Sequence, residues 1–484
     1  RGGADSRGQA EPPFLKIVEE QVKTGIILFF RLPIGFLTGI KRKLRFGINP
    51  KMNQTLPQDG IPAVERACLE YQVATTEAGK LDARVKVFRA HPFVKESPTE
   101  VSDLSTGGCD WVFQKTSFGL NVREFQKFLK TPAGRPFAKL AGGVSDDGLY
   151  TVSRVLREVC PMPRGFNVFV PYRDGIEMEA FSLQGIRKFT GLSPEDEDET
   201  SNSTATSFYF EGAGAGDVVS FFKTLKSNGE NARLAVREIG GTAFIVAGSK
   251  TACMVWPAGE RVEDHVDIDR LGNISVTVVC RMMSAWCAGL DPQRREAFIR
   301  EMSEYTVIGE VNRVDNEHMI PIDHTYIEFY ACLDRSGLPA HPRLCREFFL
   351  AHGLPPVPMS EYPARRMAEV VNDVRGDHRD EGAVLYLLDV HLDVIGLVKI
   401  KSDHYVTLRR LREHVKPFFK KALLGTLDTR EKLESAATDS KHRLKGKMAA
   451  LTHVRNSDVL AGTWSSIGCR YIDYVAGRLG ECLD

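Results

Sequence analysis

The chain has 484 residues, of which 43% are hydrophobic, 26% charged and 9% aromatic. These proportions exclude a collagen-like, a wholly disordered and a disulfide-scaffold protein, and they are typical of a globular chain with about two or three domains. Because 64 Lys and Arg residues stand against 63 Asp and Glu residues, any affinity for nucleic acid must depend on uneven placement of charge along the chain.

The ten cysteines are spread along the chain, with no Cys-x-x-Cys pair and no Cys/His spacing of a zinc site. We therefore expect reduced thiols and an intracellular protein, with cytoplasm, nucleus and organelle all left open. Since the sequence begins with Arg rather than Met, a cleaved or missing targeting segment stays an alternative.

Residues 1–60 are predicted to form a flexible arm that is both basic and apolar. Its apolar stretch, Gly25 to Ile40, is interrupted by Arg31 and Pro33. The stretch is shorter than the roughly 20 residues that span a bilayer, so we expect no stable membrane insertion. Four basic residues between positions 41 and 45 follow it, which leaves an amphipathic surface helix as the alternative.

Residues 61–160 are predicted to form a globular N-terminal extension, with helical periodicity around 124–129 and 152–159. No motif in the first 150 residues indicates a function. Residues 193–207 are acidic and polar with almost no apolar side chain, so they cannot bury enough surface to offset the entropy of ordering. We interpret them as a surface insertion and not as a site.

Two β-hairpins are predicted farther along the chain. Alternating runs between Ala232 and Ala247 flank Gly240 and Gly241, and this pattern is typical of a tight turn between paired strands. A second pair of runs between Ala383 and Lys401 flanks the polar turn at 391–393. We expect antiparallel strands in both cases.

The segment from Tyr405 to Arg455 changes to a helical and basic composition, with 13 Lys or Arg against 5 Asp or Glu. We predict a helical basic C-terminal domain over residues 406–484. Clustered positive charge is the footprint expected for binding phosphate backbones, although a solvated helix face explains it as well.

Four short segments carry the residues with chemical interest: KSNGEN at 226–231, GSK at 248–250, GE at 309–310, and the residues from Asp380 to Lys401. Each is commonplace alone, since a single lysine or glutamate is usually a surface charge. Their order and spacing are what distinguish them from chance.

Together these segments resemble the covalent nucleotidyltransferases, the superfamily of ATP-dependent ligases and capping enzymes, and most closely the RNA ligases of the phage type. The first motif of that branch is Lys-x-x-Gly with Asn two residues beyond the glycine, which Lys226, Gly229 and Asn231 reproduce. The resemblance implies that Lys226 is the catalytic nucleophile, that Gly229 lets the chain pass close to a nucleotide, and that Asn231 positions a 5′-phosphorylated end.

The later motifs have counterparts in the same order, at Lys250, Glu310, Glu381, Lys399 and Lys401. The resemblance implies that Glu310 binds the ribose, that Glu381 is the metal carboxylate, and that the lysines contact the triphosphate.

Two further correspondences are looser. Arg164, in Met-Pro-Arg-Gly, resembles an Arg-Gly that precedes the lysine motif in phage-type ligases, with an exposed loop arginine as the alternative. Cys332 stands where the family has its adenine-stacking aromatic, so either Phe329 or Tyr330 would have to stack from a shifted position.

A lysine is nucleophilic only when neutral, and an ordinary pKa of about 10.4 leaves it protonated at neutral pH. We predict that Lys399 and Lys401, together with a divalent metal, lower the pKa of Lys226. Because residues two apart on a strand share a face, both ammonium groups should point to one place while Ile400 points into the core.

The resemblance implies an α+β protein with a nucleotidyltransferase (ATP-grasp-like) core of antiparallel sheets over residues 161–405. It implies an ATP-dependent RNA ligase that uses ATP and Mg²⁺ or Mn²⁺, acts as a monomer, and joins RNA with 5′-phosphate and 3′-hydroxyl ends. The alternatives are a DNA ligase or capping guanylyltransferase, and a non-catalytic protein that binds RNA or a membrane surface.

Missing signatures narrow these alternatives. There is no Gly-x-x-x-x-Gly-Lys-Ser/Thr loop of a fused kinase, so the substrate should already carry a 5′-phosphate. No strand-rich stretch follows Lys401 as it would in DNA ligases and capping enzymes. His318 and His324 lack metal-ligand spacing and are interpreted as exposed loop residues.

Overall fold

The computed structural model describes residues 61–106, 109–141, 149, 152–153, 155–193, 196, 209–210, 213–250, 252–268, 273–316, 319–320, 322–449 and 457–481. The predicted arm at 1–60 and His318 lie outside these ranges. Within them, no helix combines the length and apolarity needed to cross a membrane. The eight cysteines whose side chains are described are free thiols.

The described helices are α1 (Ile61–Val73), α2 (Glu77–Ala90), α3 (Val122–Lys130), α4 (Arg135–Ala141), α5 (Ile274–Ala288), α6 (Pro292–Met302), α7 (Pro342–His352), α8 (Met367–Gly376), α9 (Asp403–Leu423), α10 (Arg430–Ala449) and α11 (Ser457–Gly480). The described strands are β1 (Val94–Glu96), β2 (Glu100–Thr106), β3 (Cys109–Leu120), β4 (Phe166–Arg173), β5 (Ile176–Glu177), β6 (Phe181–Leu183), β7 (Ser220–Leu225), β8 (Glu230–Ile239), β9 (Thr242–Gly248), β10 (Cys253–Pro257), β11 (Thr306–Asn312), β12 (Tyr326–Leu333), β13 (Met359–Pro363), β14 (Gly382–Leu388) and β15 (Val394–Lys401).

These strands form three antiparallel sheets in the described part of the chain. The six-stranded sheet has the order β1-β3-β4-β5, with β2 paired to β3 and β6 paired to β4. The five-stranded sheet has the order β10-β9-β8-β11-β12, and the four-stranded sheet has the order β13-β7-β14-β15. The predicted combination of helices with antiparallel sheets is confirmed. Since β3 pairs with β4, the predicted N-terminal extension shares a sheet with the segment that follows it.

Both predicted hairpins are confirmed. Strands β8 and β9 pair up to Ile239 and Thr242, and the two glycines between them, Gly240 and Gly241, have φ of 55° and 78°. Strands β14 and β15 pair along their length, from Gly382 opposite Lys401 to Leu388 opposite Val394. Positive φ values are favourable only for residues without a Cβ, which explains the glycine pair in the first turn.

The predicted helical character of the C-terminal segment is also confirmed. Helix α9 begins one residue after the cap Ser402, whose Oγ accepts a hydrogen bond from the Tyr405 amide at 3.2 Å. Helices α9, α10 and α11 then pack around a buried core that includes Phe418, Leu444 and Ile472. The end of β15 is thereby joined directly to the helical bundle.

The four-stranded and five-stranded sheets share an apolar core, which includes Phe222, Ile308 and Leu397. Side chains of β15 alternate about the sheet, so Lys399 lies on the same face as Leu397, whereas Ile400 lies fully buried in the core against α8. The predicted burial of Ile400 is confirmed. The space between these two sheets is where the basic side chains of β15 point.

Gly382 is the position where the start of β14 makes its closest backbone contact with β15. Its φ is 149°, and a Cβ placed there would lie 2.0 Å from the Ile400 carbonyl oxygen. We expect Gly382→Ala to lower the free energy of unfolding by about 1–3 kcal/mol or more, measured by urea denaturation. Gly216→Ala is the matched control, because a Cβ there would meet no atom within 4 Å. Equal losses in the two variants would contradict this account.

Candidate active site

A cavity of about 150 Å³ lies between the four-stranded and five-stranded sheets. One carboxylate, Glu310, and five basic side chains line it: Arg164, Lys188, Lys226, Lys250 and Lys399. A partly enclosed space with such an excess of positive charge attracts anions. The arrangement therefore suits a ligand with several negative charges.

Seven of the eleven residues predicted to form the site line this cavity, namely Arg164, Lys226, Asn231, Lys250, Glu310, Tyr330 and Lys399. They come from six segments: the loop before β4, residues 226–231, the loop after β9, and strands β11, β12 and β15. The other four, Gly229, Phe329, Glu381 and Lys401, do not line it. One of those four, Glu381, nevertheless contacts Lys226.

Lys226 lies where the chain leaves β7 and crosses from the four-stranded sheet to the five-stranded sheet. Its amide donates to the Gly382 carbonyl at 3.0 Å. Its Nζ lies 3.0 Å from Glu381 Oε1, and Lys401 Nζ lies 3.8 Å from the same oxygen. Glu381 is 5% exposed and Lys401 1% exposed, so the shared carboxylate and one of its two ammonium partners are buried, while the Lys226 side chain is 21% exposed.

The charges around Lys226 keep its amine protonated. Burial alone would lower the pKa of Lys226, but the carboxylates of Glu381 and Glu310 outweigh burial and raise it above its ordinary value. The prediction that Lys399 and Lys401 lower this pKa is therefore wrong. Lys401 cannot act as an uncompensated cation, because it pairs with Glu381 itself.

Glu310 lies on β11 and accepts a hydrogen bond at Oε2 from the Gly229 amide at 3.3 Å. Burial raises the pKa of Glu310 to about 7, since the nearby positive charge of Lys226 offsets burial only in part. A Cβ at Gly229 would lie 2.5 Å from the Val311 carbonyl oxygen. The structure thus requires a glycine there for packing against β11, and the close approach to a nucleotide stays a prediction.

A β-bulge decides which aromatic residue of β12 reaches the cavity. The register between β11 and β12 passes from Ile308 opposite Ala331 to Gly309 opposite Phe329, so Tyr330 is the extra residue. Tyr330 lines the cavity. Phe329 is 1% exposed and packs in the core near α7.

Phe329 is therefore a core residue, and of the two alternatives only Tyr330 lies in the cavity wall. Cys332, which stands at the family's aromatic position, lies in the same core. The bulge supplies the shifted position that the sequence comparison left open between Phe329 and Tyr330.

The loops that carry Arg164 and Lys250 are joined by Arg233, a completely buried residue of β8. Its guanidinium donates to the Ser249 carbonyl at 3.0 Å from Nε, to the Gly165 carbonyl, and to Asn167 Oδ1 at 2.9 Å. These partners are neutral, and burial lowers the pKa of Arg233. Sequence reasoning missed this residue because an arginine inside a strand carries no motif.

Among the lining residues that were not predicted, three have charged or aromatic side chains: Lys188, Phe189 and Tyr386. Tyr386 lies two residues beyond Val384, which is opposite Lys399 in the β14–β15 register. The period-2 rule applied to the second hairpin would have placed Tyr386 on the cavity face. Lys188 and Phe189 have no such signal, because they lie on an irregular connection.

Two polar atoms in the cavity wall lack hydrogen-bond partners among the described residues. They are Arg164 Nε, a donor, and Asn231 Oδ1, an acceptor. Buried polar groups are rarely left unsatisfied. With the five cations and the aromatic side chains, these atoms fit a ligand that has both anionic and neutral polar groups.

A metal site made of protein ligands alone is not found in the described residues, where no group of three or more His, Cys, Asp or Glu side chains could hold an ion. Glu381 Oε1 already faces Lys226 and Lys401, and Asn228, with its amide oriented to satisfy its neighbours, donates to Oε2 at 3.1 Å. The predicted loop residue His324 is 71% exposed in its side chain and pairs with Asp323.

The raised pKa of Glu310 predicts a pH-dependent effect of Glu310→Gln on stability. Between its ordinary value near 4.3 and the folded value of about 7, the unfolded chain loses this proton before the folded chain does. The stability that the protonated group contributes is thus present at low pH and lost as pH rises through about 7. A glutamine cannot ionise and avoids this loss.

We therefore expect the stability of Glu310→Gln relative to the native protein to be greater at about pH 8 than at about pH 5, measured by urea unfolding at both pH values. Glu347→Gln on α7 is the control, because that side chain is exposed. A relative stability that does not change with pH would show that Glu310 ionises normally.

No family model matches the chain, and no curated protein matches it. An archaeal ATP-dependent RNA ligase structure aligns with a TM-score of 0.38 and 14% identity, over 81% of this chain and 77% of that chain. A mutant Naegleria gruberi RNA ligase with AMP and Mn aligns with a TM-score of 0.26 and 11% identity, over 39% of this chain and 52% of that chain. A second mutant of that ligase, with ATP and Mn, aligns with a TM-score of 0.27 and 11% identity, over 65% of this chain and 98% of that chain. These TM-scores are too low to establish a common fold.

Proposed function

We propose that this protein is an ATP-dependent RNA ligase of the phage type, which joins 5′-phosphate and 3′-hydroxyl RNA ends through a lysyl-AMP intermediate on Lys226. The observation that supports it best is the setting of this lysine. Lys226 lines a cavity with four other basic side chains and contacts the buried carboxylate of Glu381. A lysine on an anion-binding wall is placed to attack the phosphorus of a bound nucleotide once its ammonium has lost a proton.

The first step would be attack of Lys226 Nζ on the α-phosphorus of ATP. The ammonium must first lose a proton, and Glu381 Oε1, at 3.0 Å, lies within reach to accept it. The new N–P bond forms as the bond between the α-phosphorus and the bridging oxygen breaks, and pyrophosphate leaves. Arg164, Lys250 and Lys399 stabilise the charge on the phosphate oxygens.

The remaining site residues bind the nucleotide. Glu310 accepts hydrogen bonds from the ribose hydroxyls, and Tyr330 stacks on the base in place of Phe329. Asn231 Oδ1, which lacks a partner in the described structure, is a free acceptor for the substrate end. These roles follow the motif resemblance, and the positions of the side chains around one cavity support them.

A divalent ion, Mg²⁺ or Mn²⁺, fits this site only with help from the substrate. Mg²⁺ usually binds through one or two carboxylates together with phosphate oxygens. Glu381 is the carboxylate that would hold it here, and the ion would neutralise charge on the phosphates. Proton transfer and alignment of the nucleophile remain the work of Glu381, Lys226 and the basic wall.

In the two later steps AMP moves from Lys226 to the 5′-phosphate of RNA, and a 3′-hydroxyl then displaces AMP. We propose RNA and not DNA as the substrate, because the Lys226–Asn231 segment has the Lys-x-x-Gly-x-Asn form of the RNA ligase branch. The helical bundle that follows β15 also lacks the strands of a small barrel in its described part.

Autoadenylylation tests the proposal directly. We expect covalent label on the protein, stable to alkali and labile to acid as a phosphoramidate is, after incubation with α-labelled ATP, and its loss in Lys226→Ala. Lys223→Ala is the matched control, since Lys223 lies on β7 three residues earlier and does not line the cavity. Label that persists in Lys226→Ala would overturn the proposed nucleophile.

The choice of nucleotide and strand is tested in the same assay. Labelling with GTP instead of ATP would identify a capping-type enzyme. Joining of DNA ends but not of RNA ends would identify a DNA ligase. RNA binding without any labelling would mean that the protein is not a nucleotidyltransferase.

The raised pKa of Lys226 predicts how labelling depends on pH. A raised pKa keeps the amine protonated to higher pH, so kcat/KM for label formation should rise between about pH 6.5 and about pH 9, by up to about tenfold per unit. Single-turnover labelling over this range measures it. A plateau below about pH 8 would instead show that the reacting amine has a lowered pKa.

A further inference from the structure

Residues 193–207 were predicted to be a surface insertion without a role in the site, but Asp196 does not fit that description. Its side chain is completely buried. It forms a bidentate ion pair with Arg375 of α8, with one contact at 2.7 Å to Oδ2 and another to Oδ1. It also accepts hydrogen bonds from the amide and hydroxyl of Ser193, at 2.9 and 3.0 Å.

The ion pair holds both backbone polar groups of Lys401. The Lys401 amide donates to Asp196 Oδ1 at 2.7 Å. The Lys401 carbonyl accepts from Arg375 Nη1, also at 2.7 Å. Charged partners make such hydrogen bonds shorter and stronger than those between neutral groups. The outer edge of β15 at Lys401 is therefore fixed by side chains and not by another strand.

The same segment covers the outer edge of β15 at Lys399. The Lys399 amide donates to the Thr190 carbonyl at 3.2 Å, and the Lys399 carbonyl accepts from the Leu192 amide at 3.0 Å. We call residues 190–193 together with Asp196 the edge segment. It contacts the backbone of both lysines in the Lys-x-Lys pair, on the side away from β14.

We propose that Asp196, together with Arg375, is a positioning residue for Lys401 and through it for the Glu381–Lys226 contact. The inference rests on the proposed function of Lys226. Lys401 Nζ lies 3.8 Å from the carboxylate oxygen that Lys226 also contacts. Any shift of the Lys401 backbone is thus transmitted to the proton acceptor of the nucleophile.

A purely structural role for Asp196 makes a different prediction from a positioning role. If Asp196 only stabilises the fold, its replacement lowers the melting temperature and acts independently of Lys401. If it positions Lys401, its effect on adenylylation disappears when the Lys401 side chain is removed. A double-mutant cycle separates the two cases.

The cycle uses Asp196→Asn, Lys401→Ala and the double variant, with the single-turnover rate of labelling by ATP as the readout and circular dichroism to verify folding. We expect Asp196→Asn to slow labelling by about 10- to 100-fold in the native background, because small misplacements of catalytic groups have effects of this size. In the Lys401→Ala background the same substitution should change the rate by less than about twofold.

Asp217→Asn is the matched control. Asp217 accepts a hydrogen bond from the amide three residues before it, that of Gly214, at 2.8 Å, as Asp196 does from Ser193. Asp217 forms no hydrogen bond or ion pair with β15 in the described structure. The Asp217→Asn protein should therefore be adenylylated at the native rate. Arg375→Lys keeps the charge but loses the paired contacts, so it should also slow labelling.

Two results would overturn the proposal: a native labelling rate in Asp196→Asn, or an equal loss in both backgrounds. If Asp196→Asn does not fold, Arg375→Lys takes its place in the cycle with the same expected outcomes. Failure of the proposed function is recognised separately, because the native protein and Asp217→Asn would then both remain unlabelled. In that case positioning is measured as the affinity for pyrophosphate, by calorimetry. We expect this affinity to fall in Asp196→Asn and to stay unchanged in Asp217→Asn.

Discussion

One buried carboxylate oxygen, Glu381 Oε1, is the contact on which the rest of the site depends. It faces the ammonium groups of Lys226 and Lys401, which come from the end of β7 and the end of β15. The backbone brings these three residues together, because Gly382 pairs with Lys401 and its carbonyl accepts from the Lys226 amide. Removing the carboxylate would take this partner from the buried ammonium of Lys401, which is unfavourable.

Much of this arrangement could be predicted from the sequence, because it follows from strand geometry. The Lys-x-Lys spacing placed Lys399 on one face of β15 and Ile400 on the other, and the glycine pair at 240–241 indicated a tight hairpin. Such features depend only on the period of side chains along a strand and on the turns that glycine permits. The order of the motifs alone predicted seven of the residues that line the cavity.

The features that could not be predicted depend on register and on the nearest charges. The bulge that directs Tyr330 into the cavity and leaves Phe329 in the core is a single shift in pairing between β11 and β12, and no local pattern indicates it. The sign of the pKa shift of Lys226 depends on whether carboxylates or amines are closest in space. Sequence reasoning missed Arg233 because its guanidinium donates hydrogen bonds to three neutral oxygens that belong to other segments of the chain.

The edge segment has a consequence for the behaviour of the protein in solution. Strand β15 ends the four-stranded sheet, and an uncovered end strand offers free amides and carbonyls to any other extended chain. Here residues 190–193 and Asp196 occupy those groups at Lys399 and Lys401, and Phe210 donates to the Ile395 carbonyl at 2.7 Å farther along the strand. The polar tract at 193–207 thus lies between residues that are bonded to this end strand, and those residues occupy groups with which another extended chain would otherwise pair.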